Sequence, residues 1–122
     1  MTHCRVVNDE RGAIIDVVEG DFKACQVITS RKGSIRSNHY HKQGGHWLYV
    51  LSGRMMYRET PVSSDVNPTW DRQFEVRTGE KVFTGPLVIH QTEFLEDTIL
   101  VSCAIGRLDR ETYESDTVRV TL

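Results

Sequence analysis

Apolar and polar positions alternate over short runs along the chain, and turn residues close each run before a helical period can develop. ACQVITS (Ala24–Ser30), HWLYVLSG (His46–Gly53), RMMYRET (Arg54–Thr60), RQFEVRTG (Arg72–Gly79) and TILVSCAIG (Thr98–Gly106) carry the β-branched and aromatic residues of strands. AIIDVVEG (Ala13–Gly20), SIRSNHYH (Ser34–His41), KVFTG (Lys81–Gly85) and LVIHQTEFL (Leu87–Leu95) read the same way. Asn8 to Gly12, Arg31-Lys32-Gly33, Ser52-Gly53 and Thr78-Gly79 are the turns between them. Pro61 to Pro68, with two prolines, Asp65 and Asn67, is an exposed loop, and TVRVTL at the end suits an edge strand or a neighbouring subunit. The spacing predicts an all-β sandwich or barrel of about 8 to 11 strands, with no linker, repeat or low-complexity tract.

Length and charge narrow the function. The 122 residues fit one domain, residues 1–122, with a single core. With 15 basic and 17 acidic residues the net charge is −2, and no basic run exceeds two residues. That leaves no electrostatic footprint for nucleic acid or an anionic membrane. No apolar stretch approaches the roughly 20 residues that span a bilayer, and the N-terminus lacks a signal-peptide pattern. Three widely spaced cysteines, Cys4, Cys25 and Cys103, do not form a disulfide framework, which points to a reduced, cytoplasmic setting. Cys25 and Cys103 sit in apolar runs and read as buried thiols used as small hydrophobes. Glu80-Lys81 and Asp109-Arg110-Glu111 read as solvated turns.

Histidine placement changes the picture. Four of the five histidines fall in two clusters, His39, His41 and His46 in the first and His90 in the second. On a strand, His39 and His41 share a face with Ile35 and Ser37. His46 shares one with Leu48 and Val50, and His90 with Val88, Thr92 and Phe94. Each imidazole therefore sits among mainly apolar neighbours on the expected barrel interior. Four buried imidazoles can hardly all find separate carboxylate or carbonyl partners, and an unpaired one costs roughly 1–3 kcal/mol. A divalent transition metal (Fe, Zn, Ni or Mn) held by these neutral nitrogens resolves the conflict.

The same residues resemble the cupin motifs. Gly33, five residues, His39-Tyr40-His41, four residues, His46, six residues and Gly53 match the spacing of the first motif, with His46 where most cupins have glutamate. Gly79, five residues, Gly85-Pro86-Leu87 and His90 keep the second spacing, with Pro-x-Gly altered to Gly-Pro-Leu and Phe94 in place of asparagine. The resemblance implies a jelly-roll barrel with His39, His41, His46 and His90 at the metal-ligand positions. An all-histidine set is neutral, so the ion keeps its full charge as a Lewis acid, and no carboxylate ligand can serve as a base.

A looser similarity, carried by DERG, QVITSRKGSIRSNHYHK and YVLSG, is to cupins of nucleotide-sugar and capsule biosynthesis. It implies a small polar substrate and proton transfer next to a ketone, which needs a base and a positive centre for the enolate oxygen. Tyr57 and Glu93 are the candidate acid and base. Tyr40, Tyr49 and Arg36 are expected to face outward by strand parity. Trp47 and Trp70 suit a dimer contact, and Met55 and Met56 fill core or interface gaps. The expected protein is a homodimer that isomerises or epimerises a carbonyl-bearing sugar. A non-haem iron dioxygenase and a non-catalytic metal- or sugar-binding module are the alternatives.

Overall fold

The computed structural model describes residues 1–62, 69–105 and 113–120. Among these the chain forms β1 (Thr2–His3), β2 (Arg5–Asp9), β3 (Gly12–Asp16), β4 (Ala24–Ser30), β5 (Ile35–His41), β6 (Gly45–Ser52) and β7 (Arg54–Pro61). β8 (Arg72–Arg77), β9 (Glu80–Thr84), β10 (Val88–Phe94) and β11 (Thr98–Ile105) follow, then a one-turn α1 (Tyr113–Asp116) and β12 (Thr117–Arg119). The expected loop falls largely outside the described residues, as do Asp109-Arg110-Glu111 and the last two residues of the C-terminal run. No helix among the described residues is long and apolar enough to cross a membrane.

Two antiparallel five-stranded sheets make the barrel, ordered β1-β9-β6-β11-β4 and β12-β5-β10-β7-β8. β2 and β3 form a separate hairpin. Alternation explains why the sheets face each other. Leu48 and Val50 of β6, Met55 and Tyr57 of β7, Val76, Val82, Phe94 and Leu100 are all buried in one cluster. Their sequence neighbours point outward, as period-2 patterning requires. Met55 is fully buried and Met56 is not, so only the first fills the core.

Gly53 turns β6 into β7 at φ +97, and a Cβ there would lie 2.5 Å from the Asp97 carbonyl oxygen. Only glycine fits that hairpin. The C-terminal run becomes edge strand β12, pairing Thr117, Val118 and Arg119 with His41, Tyr40 and His39.

Two expectations fail here. Glu80 is buried, accepting the Arg77 backbone N–H at 2.8 Å, so it closes its turn from inside instead of standing in water. Cys103 is buried as expected, but Cys25 is exposed, because β4 is the outer strand of its sheet.

Candidate functional site

Register brings the histidines together. His39 of β5 lies opposite His90 of β10, and His41 follows two residues on, on the same face. His46 is the second residue of β6, between Thr84 of β9 and Ala104 of β11. Ring centroids of His39 lie 4.7 Å from His41 and 4.6 Å from His90. His46 stands 5.5 Å from His41 and 5.3 Å from His90. One nitrogen from each of His39, His41 and His90 lies within 4.8 Å of the other two, and this trio does not include His46.

All four rings are buried. Burial holds His46 far below the ordinary histidine range, at about 3, and its neighbours His41 and His39 push the same way. His90 is lowered by burial first and then by His46 and His39. His41 is lowered by burial, against the opposing charge of Asp116. His41, His46 and His90 are therefore neutral at neutral pH, the protonation state in which imidazole binds metal.

The orientation is right as well. His90 Nδ1 lies 3.1 Å from the Val88 carbonyl oxygen, which can only accept, so the proton is on Nδ1 and the Nε2 lone pair faces the cluster. The Nε2 atoms of His46 and His90 are buried with no hydrogen-bond partner. Such orphaned acceptors cost free energy unless a cation meets them, so the donor set fits a divalent metal.

Residues outside the histidine motifs hold this arrangement. Thr117 Oγ1 lies 3.1 Å from His41 Nδ1. Buried Asp116 accepts the Gln43 N–H at 2.9 Å and the Gly44 N–H at 2.8 Å, fixing the turn between His41 and His46. Sequence reasoning missed both residues, since nothing local ties them to a turn more than 70 residues earlier.

A bulge in β5 overturns part of the parity argument. Ser37 and Asn38 have φ of 79° and 53°, and the register slips by one between His39↔His90 and Ser37↔Gln91. The extra residue reverses the alternation upstream. Ile35 turns outward, and Arg36, opposite inward-facing Thr92, lines the cavity while staying exposed at its mouth. The Arg36 guanidinium donates to Ser30 Oγ at 2.8 Å and to the Thr29 carbonyl at 3.0 Å. Gln91 Nε2 donates to Asn38 Oδ1 at 2.9 Å, and the Val120 N–H to the Asn38 carbonyl at 2.8 Å, pinning the left-handed pair.

The result is a cavity of about 260 Å³ with His39 and His46 at its floor and Arg36, Ser37, Thr92 and Ser102 in its walls. No carboxylate lines it among the described residues. A second, more open groove of about 550 Å³ continues past Arg36 towards Arg31 and Asp97.

Tyr57 and Glu93 stand apart from this pocket. Glu93 is on the outer face of β10, 3.0 Å from Arg58. Its parity is opposite to that of His90. Tyr57 is fully buried in the core; its hydroxyl donates to Glu59 at 2.9 Å and accepts from Thr84 at 2.6 Å. Burial raises its pKa far above the ordinary phenol range. Tyr49 is outward but buried, close to Cys4 of the N-terminal segment. Trp47 packs within the chain, 5.2 Å from the Phe83 ring and 4.7 Å from Lys81 Nζ.

Comparison with known proteins places this architecture. No protein-family model and no curated protein matches the sequence. Solved structures do match. A doubly substituted form of the sugar 3,4-ketoisomerase QdtA from Thermoanaerobacterium thermosaccharolyticum, in complex with TDP, has a TM-score of 0.75 at 26% identity. That match covers 96% of this chain and 83% of the other. The dTDP-4-dehydrorhamnose 3,5-epimerase from Sulfolobus tokodaii gives 0.74 at 20% identity, over 95% of this chain and 73% of the epimerase. The capsular polysaccharide assembling protein CapF from Staphylococcus aureus gives 0.64 at 21% identity. There 98% of this chain matches 34% of the larger protein. The chain is an all-β cupin jelly-roll barrel, and these structural neighbours include sugar-nucleotide isomerases and epimerases.

Proposed function

We propose that this cupin binds one divalent transition metal and catalyses proton transfer next to the carbonyl of a nucleotide-linked keto-sugar. The observation that carries the reading is the convergence of four buried histidines, two of which, His39 and His46, line the pocket. His39, His41 and His90 would hold the ion, with His46 beside them. When bound, the metal supplies Lewis-acid stabilisation of a carbonyl or enolate oxygen.

The chain's own residues do the rest. Arg36 offers charge-assisted hydrogen bonds to an anionic group such as a diphosphate, at the junction of the cavity with the longer groove. Ser37, Thr92 and Ser102 offer hydroxyls to sugar oxygens. His46, neutral and on the pocket floor, is the group placed to take a proton at Nε2 and return it to the adjacent carbon on the same face. Glu93 and Tyr57 lie outside the pocket lining, so the proton-transfer role passes to the histidine. The similarity to a 3,4-ketoisomerase and a 3,5-epimerase supports the substrate class, since both reactions run through an enolate.

The test is incubation of metal-loaded protein with TDP-4-keto-6-deoxyglucose in D₂O. Proton NMR should show loss of signal at a carbon beside the ketone, without O₂, and His46→Asn should abolish it. No exchange by the wild type would contradict the proposal. A carboxylate-free histidine trio also suits an iron dioxygenase, and oxygen uptake on addition of Fe(II) and a diketone or thiol would favour that second reading.

We also propose a homodimer. Val6, Val7, Ile14 and Ile15 of the β2–β3 hairpin are all more than 40% exposed, an apolar surface that suits burial against a second copy.

A further inference from the structure

Two thiols that the histidine site does not use meet on the outer side of the first sheet. Cys25 of β4 and Cys103 of β11 are directly opposed in the ladder. Their Sγ atoms are 3.5 Å apart. Cys103 is buried and Cys25 is exposed, so one sulfur of the pair is open to solvent and the other is reached only through it. The position bears on the pocket. β4 is the edge strand, held to the sheet by β11 alone. Its inward residues Gln26 and Ile28 form one wall of the cavity, and Ser102 of β11 forms part of the next. Thr29 and Ser30, at the end of β4, are the residues that hold Arg36.

We propose that Cys25 and Cys103 are a redox-active pair that closes to a disulfide when a small disulfide such as oxidised glutathione reaches Cys25. Directly opposed residues of antiparallel strands have Cα separations of about 4.5 to 5.5 Å, inside the range a disulfide spans. The sulfurs need to approach by only about 1.5 Å to reach bonding distance, a side-chain rotation.

In the first step the Cys25 thiolate attacks one sulfur of oxidised glutathione, forming a mixed disulfide and releasing one glutathione thiolate. Cys103 then loses its proton to solvent, attacks the Cys25 sulfur and displaces the second glutathione. Two protein thiols are oxidised to one disulfide, and one oxidised glutathione is reduced to two thiols. Burial and the contact with Cys25 push the Cys103 thiol up to about 11, so the second step is the slow one. The bond would pin the edge strand, and with it the support of Arg36, to the centre of the sheet.

Cys4 is an internal control, since its Sγ lies against the Val17 carbonyl, while the Cys25 and Cys103 sulfurs meet each other. The full-length protein is equilibrated in glutathione buffers from fully reduced to fully oxidised, quenched in acid, alkylated and read by intact mass and peptide mapping. The expected result is loss of two of three alkylatable thiols, a mass lower by two hydrogens, and a crosslinked peptide joining Cys25 to Cys103, all reversed by dithiothreitol. Cys103→Ser should instead accumulate one glutathione on Cys25. Three alkylatable thiols in every buffer would overturn the proposal. So would a bond involving Cys4, or a persistent glutathione adduct on Cys25 in the wild type. Because the readout counts thiols, its outcome is independent of the metal and sugar reading.

Discussion

The two ends of the barrel interior are built on the same strands and are chemically opposite. Along β10 the inward positions run His90, Thr92, Phe94; along β6 they run His46, Leu48, Val50. Within four residues each strand passes from an imidazole to a side chain of the apolar core. At the core end every buried group has what it needs, because dispersion contacts and water exclusion ask for no partner. At the histidine end, burial alone is unfavourable, and the Nε2 atoms of His46 and His90 have no hydrogen bond. One end holds the fold together; the other draws on that stability to keep neutral nitrogens aimed at a common point.

The contrast can be tested at several strengths. Phe94→Ala, at the core end, should lower unfolding free energy by about 3–5 kcal/mol in urea titrations. Arg36→Ala should weaken TDP binding at least about tenfold, or about 1.4 kcal/mol, by calorimetry, with little change in the urea midpoint. Acidification should act on the histidine end of metal-free protein. With His46 near 3 folded and about 6.5 unfolded, the unfolded chain takes up the proton first. Stability is then full above pH 6.5 and falls as pH drops towards 3, by up to about 1.4 kcal/mol per pH unit for each such histidine. A urea midpoint unchanged between pH 7 and pH 5 would contradict this.

Smaller effects should sharpen the contrast. His90→Leu should leave metal-free stability unchanged or raise it by about 1 kcal/mol, because it removes an unsatisfied buried nitrogen. A loss as large as that of Phe94→Ala would show His90 to be ordinary core. Leu87→Gly should stabilise by up to about 1 kcal/mol. Leu87 has φ 59°, held where the cupin motif carries glycine by its N–H to the His41 carbonyl.

What was legible in the sequence was what local pattern encodes. ACQVITS is β4 to the residue, and the histidine spacing anticipated a cluster because alternation holds from His39 to His41 and from His46 to Val50. Arg36 was misplaced because one bulge residue, Asn38, inverts the alternation at Ile35 and Arg36, and neither Ser37 nor Asn38 is a glycine that would announce positive φ. Asp116 and Thr117 were invisible because their partners lie across the whole chain. Buried Tyr49 looked like a surface aromatic because its cover comes from the distant N-terminal segment.

The most direct measurement is metal content and affinity of untagged wild-type protein beside His39→Ala and His90→Ala, by elemental analysis and calorimetry. The expected result is about one Fe, Zn, Ni or Mn per chain, lost in both variants while the fold persists by circular dichroism. Wild-type protein that binds none of these ions, even after reconstitution with each, would contradict the account.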